Sequence, residues 1–275
     1  MRPLGSAWPH LRRQLQAARH VCLFLDFDGT LAPIGDHPSH VRLPISTRTL
    51  LQQLANQSKV SLVFISGRRL SELKRLIRIR QACYAGNHGL ELEDRGVRHV
   101  DPVARKLRPV LRQIAKKLRA HLRGVSGVWV EDKGLTLSLH VRQATVEDRA
   151  RAQQTVATIV GPYAQKRQAR VVAGKMIWEI RPATRRDKGS ALRRLARRHV
   201  GSRPLVIYIG DDHTDEDAFL ATERLNGLAI LVGRPRKTTA ASYWVWGHHA
   251  VHAWLQQLHD ELQDSGKPRR SETSK

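Results

Sequence analysis

The sequence predicts an α/β fold: a Rossmann-like core on a parallel sheet with helices on both faces, plus an inserted α+β module. Three observations carry that expectation. Short apolar runs at Val21 to Leu25, Val60 to Ile65 and Ala82 to Ala85 alternate with helix-patterned stretches, and glycine-bearing turns follow the strands. The same grammar returns at Pro204 to Ile209 and Leu228 to Val232. Between the halves it breaks, and residues 103 to 180 read as helix, two strands, helix, two strands.

Taken in order, Met1 to His20 is polar and arginine-rich, with no apolar stretch before a small-residue cleavage site, so no secretory signal is expected. Leu11, Leu15 and Ala18 suggest a short surface helix. Val21 to Leu25 is an unbroken apolar run, the pattern of a strand buried on both faces. Asp36 to Pro44 is a loop bearing prolines and histidines. Ser46 can cap a helix running to about Gln57, with Leu50, Leu51 and Leu54 on its buried side. Val60 to Ile65 ends at Ser66-Gly67-Arg68, and Leu70, Leu73, Leu76 and Ile77 give the next helix one apolar face. Ala82 to Ala85 leads into Gly86-Asn87-His88-Gly89.

The inserted module opens on a basic helix whose Val103, Leu107, Val110, Ile114, Leu118 and Leu122 recur at steps of three and four. Val128 to Glu131 and Leu135 to Val141 read as a hairpin around Asp132-Lys133-Gly134. Strict alternation puts Leu135, Leu137, Leu139 and Val141 on its buried face and Thr136, Ser138, His140 and Arg142 on the other. Thr145 with Asp148 resembles a capping box opening a helix through about Val160. Arg170 to Ala173 and Met176 to Ile180 pair around Gly174-Lys175. Beyond the module, Lys188-Gly189 opens a helix towards Gly201. Pro204 to Ile209 ends at Gly210-Asp211-Asp212, Thr214 to Leu220 starts a helix, and Leu228 to Val232 is expected to be the final short strand. The expected organisation is a discontinuous core of residues 1–102 and 181–262, an inserted module over 103–180, and a disordered tail over 263–275.

Composition bounds the function. A hydrophobic content of 41% supports a packed core. Lys and Arg outnumber Asp and Glu by 48 to 24, which favours anionic partners: nucleic acid, a membrane surface or phosphorylated metabolites. No apolar run approaches the roughly 20 residues needed to cross a bilayer. Cys22 and Cys83 sit in apolar strand-like runs and read as buried thiols, which fits a reducing cytoplasm.

The chemistry is expected at strand ends. Asp26 and Asp28 follow the first strand one residue apart, where parallel sheets carry their sites. Asp211 and Asp212 end a strand far downstream. If these strands are neighbours, three or four carboxylates converge, and like charges raise each other's pKa. A divalent cation removes that difficulty. An aspartate-dominated set suits Mg2+ better than zinc, since His213 brings no cysteine with it. The hydroxyl of Ser66 and the following backbone N–H groups could hold a phosphoryl group. Lys188 stands in a first helical turn, where the helix dipole disfavours a cation, so an anion is expected nearby.

Asp26-Phe27-Asp28-Gly29-Thr30-Leu31 resembles the first motif of the haloacid dehalogenase-like phosphohydrolases. Ser66 corresponds to their second motif, Lys188 to the third, and Gly210-Asp211-Asp212 with Asp215 to the fourth. The likeness is closer to trehalose-6-phosphate phosphatases, through Asp26 to Ile34 with Pro33, Ser66-Gly67-Arg68, Gly86-Asn87-His88-Gly89, Glu131-Asp132-Lys133-Gly134 with His140 and Arg142, and Gly210 to Glu216. It runs from about residue 20 to 235. One departure is Asp187, which stands where relatives often carry lysine or asparagine. The resemblance implies a hydrolase core and an inserted cap that acts as a lid. It implies Asp26 as nucleophile, Asp28 as general acid and base, and Ser66, Gly67 and Lys188 on the phosphoryl oxygens. Mg2+ would be held by Asp26, the Asp28 carbonyl and Asp211, with Asp212 and Asp215 behind it. Arg68, Asn87, His88, Glu131, Lys133 and Glu179 would bind the sugar.

The implied substrate is a small phosphorylated disaccharide, trehalose 6-phosphate; a sucrose-phosphate or glucosyl-glycerate phosphatase could use much the same core. A different class, a nucleic-acid-binding protein, draws on the basic stretch from Arg105 to Arg123. Against it stand the lack of zinc-finger spacing, of an aromatic-plus-basic RNA motif and of a basic region feeding a zipper. No obligatory protein partner and no membrane attachment are expected.

Overall fold

The computed structural model describes residues 1–35, 37–174, 176–198 and 204–264. In chain order these form β1 (Arg2–Pro3), α1 (Trp8–Ala17), β2 (Val21–Leu25), α2 (Ile45–Ala55), β3 (Val60–Ile65), α3 (Leu70–Ile77), β4 (Cys83–Gly86), β5 (Glu91–Asp94) and β6 (Val97–Val100). A second set follows: α4 (Pro102–His121), β7 (Trp129–Asp132), β8 (Leu137–His140), α5 (Val146–Gln165), β9 (Ala169–Gly174) and β10 (Ile177–Pro182). The chain then returns through α6 (Lys188–Ala196), β11 (Leu205–Gly210), α7 (Glu216–Glu223), β12 (Leu228–Val232), β13 (Tyr243–Val245) and α8 (Gly247–Asp264).

The large sheet has the order β1-β13-β12-β11-β2-β3-β4-β5-β6. It is parallel from β1 through β4, and β5 runs against the rest, pairing antiparallel with both β4 and β6. Side chains alternate across it. Leu23, Leu25, Leu62, Phe64, Ile207 and Ile209 pack with α1, α2, α3 and α8, while Phe24, Val63, Ile65, Val206 and Tyr208 pack with α6 and α7. Both faces are therefore covered, which is why the strands read as continuous apolar runs. The chain walks outward from β2 through β3 and β4, then resumes on the other flank of β2 with β11. The crevice between β2 and β11 is thus a topological switch point, where open α/β sheets bind their ligands. Leu205 to Ile209 pair in register with Val21 to Leu25, so the two aspartate segments leave adjacent strand ends.

The small sheet, β7-β8-β10-β9, is antiparallel and packs against α4 and α5. Its core includes Leu137, Leu139 and Ile180 against Ile114, Leu118, Val156 and Val160. The other face is not solvated: Thr136 and Ser138 are wholly buried, because that face lies over the strand ends of the large sheet.

Several local expectations are corrected. Ser46 is the second residue of α2 and caps nothing; Pro44 precedes the helix, with its fixed φ already suited to a helix start. On α4 the buried seam is Ala104, Leu111, Ile114, Ala115 and Leu118, while Val103 is exposed. Alanines let the backbone approach the sheet, so the seam is rotated from the one drawn through large residues only. Leu11 and Leu15 bury one side of α1 completely. The hairpin β5–β6 was not foreseen, although Arg95-Gly96 with positive φ at both marks its turn. Nor is β12 the last strand, since Tyr243 to Val245 pair with it. Trp244 belongs to β13 and meets Trp246 edge-on. The expected reach of α6 to Gly201 lies partly outside the described residues. Of the tail, Gln263 and Asp264 still belong to α8 and the rest lies outside them.

Candidate active site

The turn after β2 and the loop after β11 build one acidic pit. Asp26 continues the ladder, its N–H donating to Ile209 O at 2.9 Å. Lys188 Nζ donates to Asp26 Oδ1 and Asp215 Oδ1, each at 2.7 Å, and is only 3% exposed. Asp187 explains how a lysine holds that place. Its carboxylate caps α6 by accepting the Ser190 N–H at 2.6 Å, offsetting the cation beside it. Asp215 is fully buried and engaged on both oxygens. Oδ1 also accepts the Tyr208 hydroxyl, and Oδ2 accepts the N–H groups of Asp211 at 3.1 Å and Asp212 at 2.9 Å. Two glycines make the pit possible. A Cβ on Gly29, whose φ is +84°, would lie 2.2 Å from Asp211 Oδ2, and one on Gly210 would lie 2.4 Å from Asp215 Cγ.

One ammonium faces three carboxylates here. Burial, together with Asp215 and Asp28, pushes the Asp26 carboxyl up to about 7 against the pull of Lys188. Burial and the neighbouring Asp26, Asp215 and Asp212 carboxylates hold Asp211 well above the usual carboxylate range. Burial opposes the charge on Lys188, but Asp215 and Asp26 outweigh it and keep the amine protonated. The negative charge in excess of this ammonium fits a divalent cation. Asp26, Asp211 and Asp215 each offer an oxygen within 4.8 Å of the others, and oxygen donors suit a hard ion.

Asp28 is held elsewhere. Its two oxygens accept from Arg68 Nε at 2.8 Å and Nη2 at 2.7 Å, while Arg68 also pairs with Glu72 and donates to Pro38 O at 3.0 Å. Burial works against the guanidinium charge, but Asp28 and Glu72 more than offset it. Arg68 was expected to meet the sugar; the structure places it on Asp28, with its carbonyl accepting the Asn87 N–H at 2.7 Å. Ser66 lies beneath, its hydroxyl accepting the Arg68 N–H at 3.1 Å.

The small sheet supplies the roof. Period-two alternation sends Trp129, His140 and Ile177 down in one row, and Glu131, Ser138 and Glu179 in the next. Glu179 Oε2 meets His88 Nε2 at 2.7 Å and also Arg181, and its other oxygen lies 3.5 Å from Lys133 Nζ. Burial opposes ionisation of Glu179, but His88, Lys133 and Arg181 hold its carboxyl well below the usual range. Burial dominates for His88 and brings its imidazole down to about 4. Burial likewise opposes Glu131, which the His140 hydrogen bond and Lys133 nonetheless keep low.

A cavity of about 200 Å³ lies between pit and roof, and every residue expected at the site lines it except Asp215 and Asn87. Asp215 is sealed below. Asn87, expected to meet a sugar hydroxyl, has its amide occupied: Nδ2 donates to Glu91 Oε1 at 2.6 Å and Oδ1 accepts the Thr136 hydroxyl at 2.8 Å. It ties the two sheets together. Asp212 lines the rim, and His213 is exposed. Trp129 and Arg181 were missed, although each stands two residues from an expected residue, Glu131 or Glu179, and so shares its face of the strand. Tyr208, inside an apolar strand, gave no signal.

The trehalose-phosphatase family model matches residues 24–245. A trehalose-phosphate phosphatase of Mycobacterium marinum is 39% identical over 214 residues, covering 76% of this chain and 53% of that protein. Trehalose-phosphate phosphatase B of Arabidopsis thaliana is 29% identical, covering 87% and 66%. Trehalose 6-phosphate phosphatase RA3 of Zea mays is 30% identical, covering 92% and 74%. The chain thus spans between about half and three quarters of these relatives' own lengths. Among solved structures, the C-terminal domain of C. albicans trehalose-6-phosphate phosphatase superposes with a TM-score of 0.82 at 22% identity, over 92% of this chain and 96% of that one. That likeness concerns the fold.

Proposed function

The chain belongs to the trehalose-phosphatase family, and from that premise we propose that it hydrolyses trehalose 6-phosphate to trehalose and phosphate. The observation that carries the reading is the pairing of Lys188 with both Asp26 and Asp215 beside Asp211, directly beneath a roof of Glu131, Lys133 and Glu179. We take residues 1–102 and 181–262 as the catalytic core and 103–180 as its cap.

Asp26, with Lys188 steering one of its oxygens, attacks phosphorus and forms an aspartyl-phosphate, which splits one hard step into two. Asp28 gives a proton to the leaving sugar oxygen and then takes one from the water that cleaves the intermediate. For the first of these its grip on Arg68 has to change, since a carboxylate accepting two N–H bonds holds no proton to give. Ser66, the Gly67 N–H and Lys188 bear on the phosphoryl oxygens, where charge stabilisation in a closed site is worth most. Mg2+, held by Asp26, Asp211 and the Asp28 carbonyl, would neutralise charge on the phosphoryl group. In the roof, Glu131, Lys133, His88 and Glu179 offer donors and acceptors to a sugar rich in hydroxyls, and a missing partner for any buried one discriminates against the wrong sugar. The free thiols Cys22 and Cys83 accord with a reducing cytoplasm. No described helix is long and apolar enough to cross a membrane.

The test is phosphate release from a panel of sugar phosphates, with and without Mg2+, for the parent and Asp26→Asn. Trehalose 6-phosphate should lead the panel, chelation should stop turnover, and Asp26→Asn should be inactive yet folded. Equal rates on sucrose 6-phosphate would remove the claimed specificity, and an active Asp26→Asn would remove the nucleophile.

A further inference from the structure

Resting on that reading, we propose that His37 is a positioning residue: stacked on Trp129, it carries cap closure through the 38–40 turn and Arg68 to Asp28. His37 lies in the core loop between β2 and α2, and Trp129 on β7 of the cap. Their rings are 4.9 Å apart at 21°, a stacked pair across the core–cap boundary. On the cap side, Trp129 stacks on His140 at 3.8 Å and 7°, and His140 Nε2 lies 2.9 Å from Glu131 Oε2. On the core side, His37 organises the turn that follows it. Its Nδ1 accepts the Ser39 N–H at 3.2 Å and lies 2.7 Å from Ser39 Oγ, and its carbonyl accepts the His40 N–H at 3.0 Å. That turn presents the Pro38 carbonyl to Arg68 Nη2, the same nitrogen that donates to Asp28 Oδ1. An unbroken series of contacts therefore runs from Glu131, which faces the sugar, to Asp28, which faces the leaving oxygen.

His37 does not line the cavity and touches no reacting group. The contact it makes exists only while the cap lies over the core, so its energy belongs to the closed state. An aromatic pair is worth about 0.5–1.5 kcal/mol beyond its buried area, equal to a roughly two- to tenfold change in the ratio of closed to open states. Without it, a bound sugar phosphate spends less time with the turn seated on Arg68, and the change of grip that frees Asp28 to carry a proton is no longer tied to closure. Proton delivery to a poor leaving group then suffers. An aryl phosphate, whose leaving group departs without a proton and fills none of the cap, is insensitive to this coupling.

The experiment measures kcat and KM for trehalose 6-phosphate and p-nitrophenyl phosphate in the parent, His37→Ala and His37→Phe. For the sugar phosphate, His37→Ala should lower kcat by about two- to tenfold with a smaller change in KM. The aryl phosphate should be unaffected, and His37→Phe, which keeps the stack on Trp129 but loses the Nδ1 link to Ser39, should recover part of the loss. Equal losses on both substrates would make His37 merely structural and overturn the proposal, as would an unimpaired His37→Ala or a phenylalanine that restores nothing. A parent enzyme active on the aryl phosphate but idle on the sugar phosphate would instead overturn the substrate reading, and this coupling with it.

Discussion

Replacing Lys188 with methionine removes one ammonium from between two buried carboxylates while keeping nearly all of its volume. The parent makes two 2.7 Å contacts from an amine that is 3% exposed, so solvent cannot take over either bond. Breaking a buried ion pair costs about 3–5 kcal/mol, because a charge is left uncompensated. Each kcal/mol moves the midpoint of a chain of this size by about 2–4 °C, so Lys188→Met should melt roughly 10 °C below the parent at pH 8 with chelator present. The pH dependence has a definite sign. The folded Asp26 carboxyl titrates at about 7, above its unfolded value, so the folded state binds the extra proton. Stability from this group therefore rises as pH falls from about 7 towards 4. Without the ammonium that opposes protonation the rise is larger, and the deficit of the variant should shrink by about half or more between pH 8 and pH 5. Thermal or urea unfolding followed by circular dichroism at pH 8, 6 and 5 measures this. A deficit below about 1 kcal/mol at pH 8, or one constant across the range, would refute the electrostatic account of the pit.

Two further outcomes are expected. Mg2+ at a hundred times its dissociation constant should stabilise the parent by about 2.7 kcal/mol, and Asp211→Asn should lose most of that gain; a melt of Asp211→Asn that responds to Mg2+ like the parent would place the ion elsewhere. Asn87→Ala should cost about 2–3 kcal/mol by orphaning the Thr136 hydroxyl and a Glu91 bond, with KM for the sugar phosphate changed less than about twofold if the amide only ties the sheets; a large KM increase without loss of stability would restore it as a sugar contact.

How much of this was legible in the sequence depended on how local the cause was. Val21–Leu25 and Val60–Ile65 were readable to the residue, because burial on both faces imposes an uninterrupted apolar run. The convergence of Asp26 with Asp211 needed only the adjacency of two strands, which their shared position at the ends of parallel runs suggested. The roof was half legible. Alternation in β8 placed Thr136, Ser138 and His140 on one face, but nothing in the pattern said that this face would be covered. The pairing of Arg68 with Asp28 had no signal because the partner lies 40 positions away, and a contact of that kind is set by the loop over the strand ends. The bond from the Thr136 hydroxyl to Asn87, 49 positions apart, had no signal for the same reason. The α4 seam went wrong because small residues at a close helix–sheet contact carry no hydropathy signal.

The satisfaction of Asp215 by its own chain has a kinetic consequence. Lys188, Tyr208 and two backbone N–H groups already fix this carboxylate, so the loop that presents Asp211 takes its shape before any ion arrives. Loading is then the filling of a finished socket, unlike small zinc domains in which the ion and the fold form together. Stripping the ion should leave a chain with the same secondary structure and the same cap contacts. Reloading should be limited by the reluctance of Mg2+ to shed water, not by any refolding, so an ion held here would come and go without risk to the architecture.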